Sequence, residues 1–449
     1  MTATLPEQQS QVRLPDQRRL LRIFGVAFGV AVAIGNTIGG GILRTPGEIA
    51  SQLPSPFLIM TLWVTGGVYA LLGAVSLAEL GAMIPKSGGQ TVFVSRALGR
   101  YAGFAVGWSD WISTCASTAF VSIVVGEYAG FLVPAAAAWQ TAIAVGVATA
   151  FALMHARGVK LASNTQLVTS AAKTVAFLLL IAACFVLGGN ATTEPASAAV
   201  RSSSLLAGVV IALQAVIYTY DGWTGPIYFS EEVKNPGRDI PRAMVGGVLA
   251  ITAIYVLINA AFLYVLPVSS MAGQPLVAAT AAGAIFGEKG DLVIRLLTIV
   301  SMLGAINALT MMAPRVLYAI GDSGLLPAAH KVDDRGTPTV SLLLSTIVVV
   351  VFTATGTVNS VGALAAFFFV ANYTLSFLSV FVLRQKEPNT PRPYRAWGYP
   401  LTTGTVLLGS VAFLAAVVLG DTRHALYAIG LLALSYPLFL LLAAQASRQ

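Results

Sequence analysis

The chain has 449 residues and a formal charge of +8, with 56% hydrophobic but only 10% charged residues. Soluble domains carry about 25% charged residues, so too little polar surface is present to clothe a water-exposed fold of this length. Lipid must solvate most of the chain, and in hydrocarbon only helices or a closed barrel satisfy every backbone group internally. Apolar runs of about twenty residues, rather than alternating segments of about ten, decide for helices.

In chain order, residues 1–21 form an expected cytoplasmic tail: Arg13, Arg18 and Arg19 are present, but no short apolar core leads to a small-residue cleavage site. Predicted spans then cover 23–50, 57–83, 102–131, 140–157, 165–188, 205–231, 243–266, 292–320, 339–355, 359–383, 401–420 and 425–443, about twelve helices of bilayer length. Residues 22–443 are expected to be one transmembrane domain, because no long Pro-, Ser- or Gly-rich linker divides them, and 444–449 a cytoplasmic tail. The stretch from Ser87 to Tyr101, with Arg96 and Arg100 among apolar residues, reads either as an amphipathic helix on the cytoplasmic face or as a plain loop. With the N-terminus inside, outer loops hold only Arg201, Lys289 and Arg423 of the 26 Lys and Arg, while Arg44, Lys173 and Arg295 lie within spans. The remainder crowd the cytoplasmic side, the positive-inside pattern expected of an inner (plasma) membrane protein. The basic balance is therefore topological and implies no nucleic-acid partner.

Two spans are interrupted near their middles. In the first, Gly35-Asn36-Thr37-Ile38-Gly39-Gly40-Gly41 places four glycines in seven residues; in the sixth, Tyr220-Asp221-Gly222-Trp223-Thr224-Gly225-Pro226 combines an acid, two glycines and a proline. Glycine costs about 1 kcal/mol in a helix interior and proline about 3. Unwound backbone at membrane depth is tolerated only where it lines a cavity or is covered by protein. A lone Gly-x-x-x-Gly would mark close helix packing, but two dense clusters five spans apart match the discontinuous helices of transporter binding sites. The half-helix beginning at Gly39, Gly40 and Gly41 offers unpaired N–H groups and a positive dipole end to a carboxylate. The halves ending at Asn36, Thr37 and Tyr218 to Asp221 offer carbonyls to an ammonium. A site taking both groups a few ångströms apart fits an α-amino acid.

Five segments carry a family resemblance: IGNTIGGGILRTPG (34–47), AELGAMIPKSGGQ (78–90), YTYDGWTGPIYFSEEVKNPGRDIPRA (218–243), INALTMMAPRVLYAIGDSGLLP (306–327) and LRQKEPNTPRPYRAWGYP (383–400). With them the chain resembles the amino acid–polyamine–organocation (APC) superfamily of permeases, especially the bacterial relatives of the light subunits of heteromeric amino acid exchangers. The resemblance implies a five-helix inverted repeat of spans 1–5 and 6–10, with spans 11 and 12 peripheral. It assigns the substrate carboxylate to Gly39, Gly40 and Gly41, and the amine to carbonyls of Thr37, Tyr218 and Asp221, beside Gly222, with the Tyr218 ring as a gate. The usual Gly-Ser-Gly is Gly39-Gly40-Gly41 here, so a hydroxyl that often touches the carboxylate is absent; Thr91 and Phe93 replace common tyrosines. The related light subunits join a glycoprotein through an extracellular cysteine. Cys115 and Cys184 both fall inside spans, so no obligatory disulfide-linked partner is expected.

Ionisable residues inside spans are functional candidates by default. Lys173 matches a lysine that, in the related exchangers, occupies the place of sodium in sodium-coupled cousins, which implies sodium independence and a possible coupling role; alternatively it snorkels to the cytoplasm. Asp110 is read as a cytoplasmic-side gating residue or as a structural partner for a helix end. Glu79 is expected to pair with a loop base, Arg44 with Glu48 one turn on. Asn307 bonds substrate or another helix, the resemblance favouring the site. The charges from Glu231 to Arg242 are either a solvated loop or inner-gate ion pairs. His155, His330 and His424 lack metal-ligand spacing, and neither a convergent catalytic constellation nor a pore-lining ring motif is visible. The sequence thus predicts no cofactor, no metal and no enzyme. It predicts a secondary amino acid transporter working by alternating access, sodium-independent, for neutral α-amino acids by exchange or proton coupling. Asp221 and Asp110 keep a cationic amino acid or polyamine open as substrate, and a membrane amino acid sensor without transport is the alternative of another class.

Overall fold

The computed structural model describes residues 20–189, 204–356, 358–420 and 422–447, without the side chains of 357–364. Of the two expected tails, 1–19 and 448–449 lie outside the described residues. Within them every regular element is helical, apart from one isolated parallel bridge between Phe24 and Val233.

The first apolar span is two helices, α1 (Val26–Thr37) and α2 (Gly41–Gln52), bent by 47° across the glycine-rich break. Next come α3 (Pro56–Met83), begun by a proline whose fixed φ suits a first helical position, and α4 (Gln90–Leu98). Gly89 at φ 61° and Gly99 at φ 101° bracket α4, turning the chain where a side chain would be strained. The expected amphipathic helix is therefore real. Its apolar face, however, packs on α5 (Arg100–Leu132) and α14 (Val358–Lys386), not on lipid; the distant α14 supplies the covering surface. The intervening elements are α6 (Gln140–Ala156), α7 (Val159–Leu187), α8 (Leu205–Tyr220), α9 (Pro236–Val265), the single turn α10 (Val268–Met271), α11 (Val277–Phe286), α12 (Gly290–Asp322) and α13 (Thr339–Thr355). Ser204 caps α8, its Oγ accepting from Ala207 N at 3.2 Å. After α14 come α15 (Leu401–Gly420), α16 (Thr422–Ala433) and α17 (Ser435–Ala446).

Among the described residues ten helices are long and apolar enough to cross a membrane, and the bent α1–α2 pair makes an eleventh. The 17-residue α13 is apolar but shorter, and with it the predicted set of spans is accounted for. The chain is a multi-pass all-α membrane protein. Its core runs along α1, α3, α5, α9 and α12, where α1 rests on α7 and α9 and α12 lies on α5. By contrast α15 and the α16–α17 pair turn most of their apolar surface outward, with Leu408 at 73% and Leu419 at 82% exposure. Apolar surface turned outward in this way suits contact with lipid.

Candidate functional site

The two breaks lie against each other. Asn36 Nδ2 in the first donates to Gly222 O in the second at 3.2 Å. Gly222 sits at φ 110°, and a Cβ there would come within 2.9 Å of Thr37 N, so glycine alone permits this approach. From α9, the Tyr255 hydroxyl reaches Thr37 O at 2.8 Å and Thr219 O at 3.0 Å, tying both broken helices to one scaffold position. Beyond the second break the chain winds as a 3-10 stretch, Gly225–Glu232, opened by Pro226.

A cavity of about 520 Å³ forms at this junction. Its floor is backbone: Thr37, Gly39, Gly40 and Gly41 from the first break, Tyr218 and Asp221 from the second. No side chain caps the N-terminus of α2, whose N-cap is Gly40. Gly39 N donates to Thr37 O at 2.9 Å and Leu43 N to Gly40 O at 3.2 Å, which leaves the N–H groups of Gly40 and Gly41 for an anion. A Cβ at Gly39 would meet nothing within 4 Å, and one at Gly41 only the Thr219 side chain at 3.4 Å. The walls are mostly apolar: Phe120, Val121 and Val124 from α5, Met302 and Leu309 from α12, and Phe369 from α14.

The cavity reaches solvent on the face bearing Gly273 to Pro275. The opposite face is sealed. There Arg315 grips Glu232 through Nε at 2.6 Å and Nη2 at 2.8 Å, both side chains being almost fully buried. The guanidinium lies 4.5 Å over the Phe229 ring, which meets Phe24 and Phe28 edge-on. Farther along this face, Lys86 pairs with Asp322 at 2.8 Å and Arg96 with Glu387 at 2.7 Å. Glu79 joins Arg384 and Arg392 and also accepts from Ala396 N. Of the loop charges, Glu232 is thus a buried ion-pair partner, while Arg238 bonds only its neighbour Asp239 at 2.9 Å.

Of the residues expected at the site, Thr37, Gly39, Gly40, Gly41, Tyr218 and Asp221 line the cavity; Gly222 and Asn307 do not. Gly222 is packed behind the floor against Thr37. Asn307 faces away from the cavity, bonded to His155 Nε2 at 2.8 Å, Gln166 Oε1 at 2.7 Å and Ala162 O at 3.2 Å; one helix face cannot serve both sides, and Met302, Ala305 and Leu309 occupy the cavity side of α12. Lys173 does not snorkel. It is fully buried, and Nζ donates to Gly35 O at 3.0 Å, Ile38 O at 2.8 Å and Ser301 O at 2.8 Å, spending all three protons on the first break and α12. The Asp221 carboxylate accepts from the Tyr373 hydroxyl, and Asp110 accepts from Tyr228 at 2.7 Å. The expected Arg44–Glu48 pair does not form: among the described residues neither makes an ion pair or hydrogen bond, and both line the cavity.

Several residues had not been singled out from the sequence. Tyr255, Tyr373 and Ser301 hold the breaks from other helices, and only the fold shows which hydroxyls reach them. Gln166 and Ser170 were legible: with Lys173 they make a polar stripe at helical spacing on an otherwise apolar helix. Both donate to Ala31 O, at 3.1 and 2.6 Å, docking α1 on α7.

The chain is similar to several known transporters and exchangers. Over 417 residues the chain is 28% identical to the serine/threonine exchanger SteT of Bacillus subtilis (strain 168), covering 91% of this chain and 93% of that one. It is 27% identical to the human b(0,+)-type amino acid transporter 1 over 401 residues, 87% of this chain and 81% of the relative. With the mouse Asc-type amino acid transporter 1 it shares 26% over 393 residues, covering 84% and 73%. The amino acid permease pattern matches residues 20–435, and with the broken helices around a one-sided cavity this makes the chain a member of the amino acid permease family, a family of membrane transporters rather than enzymes.

Proposed function

We propose that this protein carries neutral α-amino acids across the cell membrane by alternating access, independently of sodium, by exchange or by coupling to protons. The observation that carries the reading is the cavity floor, where the uncapped N-terminus of α2 and the end of α8 face the same space. The N–H groups at Gly40 and Gly41 would take the carboxylate beside Gly39, whose own N–H donates to Thr37 O at 2.9 Å, and carbonyls at Asn36 and Tyr220 to Asp221 the ammonium. Thr37 O and Thr219 O already accept from Tyr255, which narrows the amine's partners. The apolar walls favour an uncharged side chain. Asp221 is held by Tyr373, which argues against its use on a substrate cation, so the cationic amino acid or polyamine reading ranks second.

Lys173 supports sodium independence because an ammonium already neutralises the carbonyls of the first break. A coupling role for it belongs to the same proposal. The one-sided opening is one of the two states alternating access needs, and the Arg315–Glu232 layer would part in the other. We place both termini in the cytoplasm, from the distribution of Lys and Arg, and read spans 1–5 and 6–10 as inverted repeats, from the matched breaks. Cys115 and Cys184 are buried within helices, which supports function without a disulfide-linked partner.

Uptake of a radiolabelled amino acid panel into proteoliposomes, with and without internal amino acid and at acidic and neutral pH, tests the reading. Exchange predicts accumulation only into loaded vesicles, lost in Gly41→Val. Uptake driven by a proton gradient would select coupling. Binding without movement under any gradient would replace transport by sensing.

A further inference from the structure

The face of α2 that borders the cavity carries more chemistry than the break requires. From the break outward it presents Gly41, Arg44, Thr45, Glu48, Ser51 and Gln52, and all six line the cavity. The other face is committed to packing: Gly47 O accepts from Gly273 N at 3.1 Å, and a Cβ on Gly47 would lie 2.2 Å from Gln274 O. Two of the six are satisfied locally. Thr45 Oγ1 shares a 2.8 Å hydrogen bond with Thr219 Oγ1, and Ser51 Oγ donates to Gly47 O at 3.0 Å. Three are not. Among the described residues Arg44 and Glu48 have no hydrogen bond or ion pair, and Gln52 Oε1 is buried without a partner.

Arg44, Glu48 and Gln52 recur every four residues, so their side chains stack along one helical row at about 6 Å steps. Opposite charges at this spacing are within reach of one another, yet they stay apart and open to the cavity. Charges kept at membrane depth face water-filled paths and mark where solutes travel. Keeping the mouth wet would need no opposed pair; a separated cation and anion, backed by an unpartnered amide, forms the complement of a zwitterion. The surrounding charges leave the pair available, since Arg295 is taken by Asp291 at 2.5 Å and Glu127 makes no ion pair with Arg44.

We infer that Arg44 and Glu48 form a second, outer station for an amino acid zwitterion, Arg44 taking the carboxylate and Glu48 the ammonium. This inference rests on the proposed amino acid transport. The station begins about one helical turn from Gly41, or about 5 Å, so a substrate passes from it to the break without leaving α2. The cavity, at about 520 Å³, has the volume of many waters at about 30 Å³ each, room enough for a ligand at each station.

Equilibrium binding of tritiated L-serine and tritiated L-leucine to the purified full-length protein in nanodiscs tests it. The expected result is two amino acids per chain for at least one of the two probes, falling to one in Arg44→Ala and in Glu48→Gln. In Gly41→Val the outer one remains while transport is lost. A stoichiometry of one, unchanged by Arg44→Ala and Glu48→Gln and abolished by Gly41→Val, would overturn the outer station and leave the transport reading standing. If neither probe bound the wild type although another amino acid was transported, that amino acid replaces the probe with the same two outcomes. If no amino acid bound or moved at all, both readings would fall together. Arg44 and Glu48 are exposed, so their variants are expected to fold, and a thermal midpoint within a few degrees of wild type checks this.

Discussion

The two helix breaks serve one cavity but are held together by different chemistry. At the first, glycines strip the side chains away, and a single buried ammonium from α7 gathers the carbonyls of Gly35, Ile38 and Ser301. At the second, the loosened chain is closed by Pro226 and 3-10 turns, and neutral hydroxyls do the holding: Tyr255 on Thr219 O and Tyr373 on Asp221. The first break, where the Tyr255 and Ser301 hydroxyls also bond Thr37 O and Ile38 O, is thus set apart by a charge that hydrocarbon makes costly to leave unpaired; the second has hydroxyl bonds alone, worth about 1 kcal/mol between neutral groups and about 1.5–3 to the Asp221 carboxylate. Electrostatics should dominate the first site and packing the second.

The largest effect should come from Lys173→Met. Gly35 O loses its donor at about 1–3 kcal/mol, although Ile38 O keeps the Ser301 hydroxyl at 2.8 Å and Ser301 O its α12 bond, so uptake should vanish and the thermal midpoint should fall in detergent. A Lys173→Met protein with wild-type stability would remove the distinction between the breaks. Next is Gly222→Ala. Its Cβ meets Thr37 N at 2.9 Å with φ at 110°, a left-handed strain of about 1–2 kcal/mol before the clash is counted. Initial uptake rates should drop more than about tenfold at that cost, with both breaks disturbed. Tyr255→Phe is milder: one hydroxyl serves two carbonyls, and about 1 kcal/mol should slow exchange roughly fivefold without unfolding the protein.

The smallest effect lies on the sealed face, outside the membrane segments. There the bidentate bond from Arg96 holds the Glu387 carboxyl below the usual carboxylate range. A depressed folded pKa adds stability above the unfolded value, about 4.3 for Glu, and that stability is lost as pH falls through the folded value. Glu387→Gln should therefore flatten the acid side of a stability–pH profile by a small amount, because the pair is part exposed and screened. An unchanged profile would mean that this pair contributes nothing to closing the face.

Much of this organisation was legible in the residues. Apolar run lengths gave the spans because a bilayer sets the length of what crosses it, and the clusters at 35–41 and 220–226 gave the breaks because glycine and proline are costly in a helix. The cavity floor followed, since a broken helix exposes its termini wherever it sits. Asn307 shows where such reading stops. A polar residue in a span needs a partner, but whether the partner is substrate or another helix depends on rotation about the α12 axis, which is set by packing against α6 and α7. Lys173 was ambiguous for a related reason: its stem is long enough to snorkel or to reach inward, and only the docking of α1 on α7 decided. Local sequence thus determined where the chain crosses the membrane and where it unwinds. Tertiary structure decided which side chains answer the unwound backbone, because partners such as Lys173 lie more than a hundred residues along the chain from the first break and no local pattern encodes their approach.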